Sequence, residues 1–380
     1  MHPSAGGPPT VIQRLCSQAP LHGLDATVIT TSLYCDDDGQ ELRKLLGHID
    51  VNVLPIRSPK ILKRAWGDAK AITTAVSCAD IVHLHTLWNP LNTMARKVCQ
   101  RLRRKYILMP HGMLDPYSLH QKAWRKKLYF AAADRKTIEH ASRMLFTTTL
   151  EEKSARESIP WLGVSAVVPL AADEFPDHLT SSSIEKFRRG FPQTTKRRCL
   201  LFLGRIHPKK GLEILLKILP RIVRNHTTVL LIIAGDGEPV YVQNVRSLVQ
   251  SLDLESHVLF TGRISGCEKW GALACAEIFI LPSSQENFAI SVAESMHAGV
   301  PVIISNRVDS WPFVQEAEAG FVIDLAQLEA ALPQRIDALL RTPEQARSLG
   351  NNGRKFARRY FSWERVNREM AALYSQVLSE

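Results

Sequence analysis

Two glutamates eight positions apart, Glu286 and Glu294, sit in the stretch LPSSQENFAISVAESMHAGVPVIIS at 281–305. The run ending in EIFILP before them reads as a buried strand. AISVAESMHAG reads as a helix closed by Gly299, and Pro301 opens another apolar strand. The polar loop carrying Glu286 therefore stands at the carboxyl end of a strand, where open α/β sheets bind ligands. A carboxylate can accept two hydrogen bonds from vicinal hydroxyls; Glu294, two turns into the helix, can do so, and Glu286 in the loop can do the same for a sugar. The amides of Asn287, Phe288, Ala289 and Ile290, read as the start of the helix, can hold phosphate or ribose oxygens. The helix dipole alone favours acids in a first turn. Glu294, however, lies among Val292, Ala293, Met296 and Ala298, and a carboxylate in so apolar a helix is costly unless paired.

A second constellation is LFLGRIHPKKGLEILL. Gly204 ends a strand, a helix starts near Gly211, and the loop between them carries Arg205, His207, Lys209 and Lys210. Glycine lets a ligand approach the backbone, and helix N-terminal amides favour an anion. Arg205 adds a charged fork and Lys210 a point charge. A solvated basic loop is the alternative. A third is His111, at the carboxyl end of the strand YILMP, with His83 and His85 alternating on the neighbouring strand. These read as satisfied polar core residues or as hydrogen-bond donors. No fourth ligand at the usual spacing accompanies them, so zinc is not expected. Asp36, Asp37 and Asp38 fit a turn better than a metal site, because no further carboxylate follows at metal-site spacing.

The elements that must position these groups alternate. ATVITT, VNVLPI, DIVHLH, YILMP, SRMLFTT and SAVVPLA read as strands separated by helices. CLLFLG, TVLLIIAG, HVLFTG, EIFILP and VPVIIS form a second such series. Two βα series in 380 residues predict two doubly wound, Rossmann-like α/β domains with an interdomain cleft. Boundaries fall at 1–172, a polar two-proline linker with room for one short helix at 173–196, a second domain at 197–360, and a final amphipathic helix at 361–380. An apolar content of 45% supports real cores. No apolar run is long enough for a transmembrane helix, and MHPSAGGPPT is unlike a signal peptide. Seven scattered cysteines without a C-x-x-C motif fit a reducing cytoplasm.

Taken together, Gly204-Arg205, Lys210-Gly211, GDGE (235–238), VLFTGRI and E-N-F-x(5)-E followed by AGVPVI resemble the donor domain of the family-four, or group 1, retaining glycosyltransferases of GT-B architecture. Gly6-Gly7, DIVHLH, PHGML and TTLEE extend the resemblance upstream. The resemblance implies a hexosyltransferase-type enzyme. Arg205 and Lys210 would bind the diphosphate of a nucleotide sugar. Glu286 would hold the transferred sugar, Asn287 to Ala289 would lie near the phosphate, and Glu294 would hold the ribose. His111 would face the sugar, and Gly6-Gly7 would form the phosphate-side loop of the first domain. It also implies a front-face retaining route, with Glu286 as nucleophile the alternative, and a last helix that packs back on the first domain. Arg205, Lys210 and helix amides can stabilise the leaving phosphate, and no carboxylate cluster is visible, so neither metal nor cofactor is expected.

Two departures matter. Only five residues precede Gly6, so the first strand of the first sheet reads as missing and the N-terminus as incomplete. Ala289 stands where the family usually has glycine. The net charge of +11 is concentrated in part at Arg101, Arg103, Arg104, Lys105, Lys122, Arg125, Lys126 and Lys127, with Trp124, Leu128, Tyr129 and Phe130 among them. That mixture suits an anionic membrane at the inner face, in keeping with a lipid-linked or saccharide acceptor in polysaccharide or surface-glycan assembly. A sugar-nucleotide epimerase and a basic nucleic-acid binder are the alternatives. The second leaves Glu286 and Glu294 unexplained, and no nucleic-acid partner is expected.

Overall fold

A computed structural model describes residues 7–31, 43, 49–54, 69–120, 129–176 and 180–380. The acidic run at 36–38 and the basic positions 122 and 125–127 lie outside these residues. The chain divides into two units, Met1–Leu170 with Trp363–Glu380, and Ala171–Ser362.

In the first unit, β1 (Thr27–Thr31) pairs in parallel with β2 (Asp50–Leu54). A separate parallel sheet runs in the order β3 (Ile81–His85), β4 (Lys105–Met109), β5 (Arg143–Phe146), β6 (Ser165–Val167). Among the described residues no strand joins β1 to β3. β4 and β5 are apolar almost throughout because helices cover both faces of a parallel sheet. The main core gathers Ile72, Leu84, Cys99, Leu108, Met144 and Phe146. The helix Trp363–Ser379 completes this unit although it comes last in the chain. Tyr374 meets His83, Lys105 Nζ donates to the Val377 carbonyl at 2.8 Å, and Arg143 pairs with Glu380.

The second unit holds one six-stranded parallel sheet. Its order is β12 (Gly320–Ile323), β11 (Val302–Ser305), β10 (Ala276–Leu281), β7 (Arg198–Leu203), β8 (Val229–Ala234), β9 (Val258–Gly262). β8 is buried along its whole length. β7 and β10 are hydrogen-bonded neighbours, so the loops that leave their carboxyl ends stand side by side.

Two expectations need correcting. The polar segment read as a linker at 173–196 belongs to the second unit, and its helix Thr180–Gly190 packs on the helix Gly266–Cys275. Phe187 is buried there, and a Cβ at Gly271 would stand 2.5 Å from the Phe187 Cβ, so a glycine makes the close approach possible. One phenylalanine among arginines and serines is a weak signal, which is why composition suggested a linker. The sequence reading also ended the second sheet at five strands. β12 is a sixth, short and partly exposed, paired with β11 at the sheet edge.

Candidate functional site

The loop after β7 is built to bring lysines back toward the sheet. Pro208–Lys210 forms one turn of 3-10 helix that ends at Gly211, whose φ of 71° suits glycine. A Cβ on Gly211 would stand 2.2 Å from the Pro282 carbonyl, so this glycine also lets the loop touch the end of β10. The helix Leu212–Asn225 follows. GDGE supplies the other wall: Ile206 N–H donates to the Asp236 carbonyl at 2.8 Å, and a Cβ on Gly237 would stand 2.1 Å from the Ile206 carbonyl. Arg205 itself is exposed. Gly204 leaves room beside Lys210, whose Nζ would lie 3.5 Å from a Cβ placed there.

Lys210 is buried, and its Nζ lies 2.9 Å from Oε1 of Glu286. Lys209 reaches the same oxygen at 3.3 Å. Burial would raise the pKa of Glu286, but the two lysines outweigh it and hold the carboxylate below its ordinary value. Burial pulls Lys210 down, and Glu286 opposes that. The Glu286 loop is stapled on both sides. Ser284 N–H donates to the Lys209 carbonyl at 2.7 Å, and Glu286 N–H donates to the Arg307 carbonyl at 2.9 Å.

The helix after this loop runs from Ile290 to His297, not from Asn287. Asn287 and Phe288 precede it, and Ala289 is its N-cap in the left-handed region, at φ 55° and ψ 75°. The Phe288 ring turns into the core against Phe361 and Phe313, with centroids 5.3 and 6.4 Å away. The AISVAESMHAG reading is one residue early, and of the four amides expected at the helix start only that of Ile290 lies in the helix, because no conventional N-cap residue marks the boundary. Glu294 is buried on the helix, and Lys269 Nζ donates to its Oε1 at 2.5 Å. Lys269 also lies 4.7 Å from the centroid of the Trp270 ring. Sequence reasoning required a partner for Glu294 without finding this one. Lys269 lies on another helix, and no local spacing links the two.

His111 belongs to the first unit. It follows β4 at φ 55°, again left-handed. Its Nε2 is 3.0 Å from Nδ1 of His85, the His85 ring stacks on His83 at 4.1 Å, and His83 Nδ1 is 2.8 Å from the Tyr374 hydroxyl. Burial lowers all three histidines, His83 to about 3 and His111 to about 4, and His85 well below 6.5. The imidazoles are therefore neutral at pH 7. Glu151, missed as a supporting residue although TTLEE had been noticed, accepts from Gly112 N–H at 2.6 Å and from Thr147 N–H at 2.7 Å. It pins the turn that presents His111. Gly7 opens the helix Gly7–Gln18, while Gly6 lies outside the described residues. Among the described residues no group of three histidine, cysteine or acidic side chains is arranged to hold a metal ion.

Two measurements probe this geometry. Ala289→Gly removes a Cβ from a left-handed position and should stabilise the second unit by about 1 kcal/mol; an unchanged or lower denaturation midpoint would contradict the strain. The histidines set a pH dependence. Below pH 6.5 the unfolded chain takes up protons that the folded cluster refuses, so this stability is present above 6.5 and is lost as pH falls toward 4 and 3. Each group adds a slope of at most about 1.4 kcal/mol per pH unit. Buried Asp134, raised to about 7 by desolvation, acts in the opposite sense. Asp134→Asn should therefore steepen the loss of the first unit's stability between pH 6.5 and 5, read by urea denaturation, and an unchanged profile would sink this account.

Comparison with known proteins bears on the whole chain. A model described as "Glycosyl transferase 4-like domain" matches residues 6–171, and one described as "Glycosyl transferases group 1" matches residues 183–356. The putative glycosyltransferase YtcC of Bacillus subtilis is 24% identical over 354 residues, which cover 87% of this chain and 84% of that protein. The phosphatidyl-myo-inositol mannosyltransferase of Mycobacterium leprae is 30% identical over 210 residues, 54% of each chain. Among solved structures, Anabaena HepE in complex with UDP and glucose has a TM-score of 0.79 at 20% identity, covering 98% of this chain and 96% of that one. Sucrose-phosphate synthase from Thermosynechococcus elongatus has a TM-score of 0.80 at 22% identity, covering 100% and 95%. The fold is thus that of the GT-B glycosyltransferases, and the chain belongs to the group 1, or family-four, glycosyltransferases.

Proposed function

We propose that this glycosyltransferase moves a hexose from a nucleoside diphosphate sugar to a lipid-linked or saccharide acceptor, with retention at the anomeric carbon and without a metal ion. The observation that carries the reading is the pair of buried carboxylates, Glu286 and Glu294, each ion-paired to lysine at the carboxyl edge of one sheet. Relatives solved with UDP and glucose, and relatives named mannosyltransferases, support a nucleotide sugar as donor. In the reaction the bond from the anomeric carbon to the phosphate oxygen breaks, and its electron pair stays on the phosphate. Arg205 and Lys210 stabilise that charge. The acceptor oxygen bonds to the anomeric carbon from the same face, and its proton passes to the departing phosphate. Glu286 and His111 hold sugar hydroxyls, Asn287 to Ala289 lie near the phosphate, and Glu294 holds the ribose.

The described cysteines are all free, and no described helix is long and apolar enough to cross a membrane. The basic, aromatic composition of the stretch at 101–130 supports a cytoplasmic enzyme that docks on the inner membrane face. Binding to anionic liposomes should fall when Arg125, Lys126 and Lys127 are changed to Glu; binding that survives the change removes this part of the reading.

A thermal-shift panel of UDP-, GDP- and ADP-sugars tests the donor site. One nucleotide should raise the melting temperature of the parent and fail to raise that of Glu294→Ala. Glu286→Gln should keep the nucleotide shift and lose turnover by about 100-fold. Turnover should persist in EDTA and give a product of unchanged anomeric configuration. No shift with any nucleotide sugar, or activity that depends on an added divalent ion, would overturn the corresponding part.

A further inference from the structure

The loop after β7 carries one more cation than the reaction above uses. Lys209 Nζ lies 3.3 Å from Glu286 Oε1 and donates to Gln285 Oε1 at 3.3 Å. Its backbone is fixed, since its N–H donates to His207 Nδ1 at 3.2 Å and its carbonyl accepts from Ser284 N–H and Oγ. The side chain is only 19% exposed. A solvated lysine gains little from such confinement and loses rotamer freedom. This one is held on the same carboxylate oxygen as Lys210, within the electrostatic reach of Arg205, whose charge acts on both Lys210 and His207.

Charge balance suggests what the extra cation does. The diphosphate of a nucleotide sugar carries roughly two negative charges, and the departing nucleoside diphosphate roughly three until a proton arrives. Arg205 and Lys210 match the first state. Glu286, once it holds sugar hydroxyls, no longer needs two ammonium groups. We propose that Lys209 is a third cation of the diphosphate site, exchanging Glu286 and Gln285 for phosphate oxygen as the sugar engages Glu286. It then stabilises the charge that builds on the leaving phosphate as the anomeric bond breaks. An interaction that is stronger in the transition state than in the substrate complex raises turnover rather than affinity. A protein cation placed there takes the part that a divalent ion plays in metal-dependent transfer.

This inference rests on the proposed donor site, and its test separates the two. Lys209→Met and Lys209→Arg are compared with the parent, using whichever of UDP, GDP or ADP and their glucose or mannose conjugates stabilises the parent. Lys209→Met should lower kcat by about 10-fold and weaken the nucleoside diphosphate by about 10-fold. It should change the KM and affinity for the nucleotide sugar by no more than about 3-fold, and Lys209→Arg should restore most of the loss. Wild-type turnover in Lys209→Met, or equal weakening of nucleotide sugar and nucleoside diphosphate without rescue by arginine, would overturn the proposal while leaving the donor site standing. A parent that binds none of these nucleotides would overturn the donor site and the proposal together.

Discussion

A carboxylate taken out of water needs a cation beside it, and that requirement organises the second unit. Glu286 and Glu294 are each about 9% exposed. An unpaired charge so placed would cost several kcal/mol. The lysines that pair with the two glutamates come from other elements. Glu286 depends on Lys209 and Lys210 from the loop after β7, and Glu294 on Lys269 from the helix before β10. The sheet order places β7 directly beside β10, and that adjacency makes the first pairing possible. Gly211 then allows the lysine loop to touch Pro282, and the Ser284 to Lys209 staple locks the register of the two loops. The site is thus a consequence of strand order, close glycine packing and charge pairing acting on the same few residues.

Backbone strain also occurs beside the carboxyl ends of strands. Thr86 and Trp88 follow β3, His111 follows β4, and Ala289 follows β10, and all four lie at positive φ. Each non-glycine residue in that region costs roughly 1–2 kcal/mol. Such residues persist where neighbours over-determine them. Around β3, Asn92 Nδ2 donates to the carbonyls of His85 and Thr86, and Trp88 N–H donates to Asp134. Glu151 holds Gly112 beside His111. On the other unit, Asp309 N–H reaches the carbonyls of both Glu286 and Asn287 just before Ala289. Four other non-glycine residues at positive φ, Arg103, Lys196, Asp253 and Glu318, lie in the turns that lead into β4, β7, β9 and β12. The turns at the carboxyl ends of β3, β4 and β10 are braced by hydrogen bonds from distant residues, and that end of the sheet is where this fold class places its chemistry.

Much of this was legible before any coordinates. The alternation of apolar runs and helical spacing locates all six strands described in the first unit and five of the six in the second. β12 escaped because GFVI is four residues long and follows a stretch with no clear period. The demand that Glu294 be paired follows from its apolar neighbours alone, yet Lys269 is not identifiable, because pairing across helices leaves no mark in local spacing. The helix read from AISVAESMHAG begins one residue later, at Ile290, so the amides of Asn287 to Ala289 precede it. Its N-cap, Ala289, has no capping side chain, and the loop before it is held by tertiary hydrogen bonds at Glu286 and Asn287, so propensity gives no boundary there. The polar stretch before β7 allowed one short helix but hid its packing, because Phe187 set against Gly271 leaves little apolar signal in the sequence.

The two units handle polar side chains removed from water in opposite ways. In the second unit, charged groups stay charged by pairing. In the first, three stacked or hydrogen-bonded imidazoles stay neutral, because burial makes protonation too costly at pH 7. A neutral imidazole still has one N–H to give and one nitrogen to accept, so the line from Tyr374 through His83, and the contact from His85 to His111, can set which nitrogen of His111 carries the proton. For a contact to a sugar, neutrality has a further consequence. As the anomeric bond lengthens, positive charge grows on the ring, and a protonated histidine nearby would oppose it. A neutral donor can orient hydroxyls without that repulsion. In the proposed reaction, the packing of His83 and His85 would thus keep His111 neutral and compatible with glycosyl transfer.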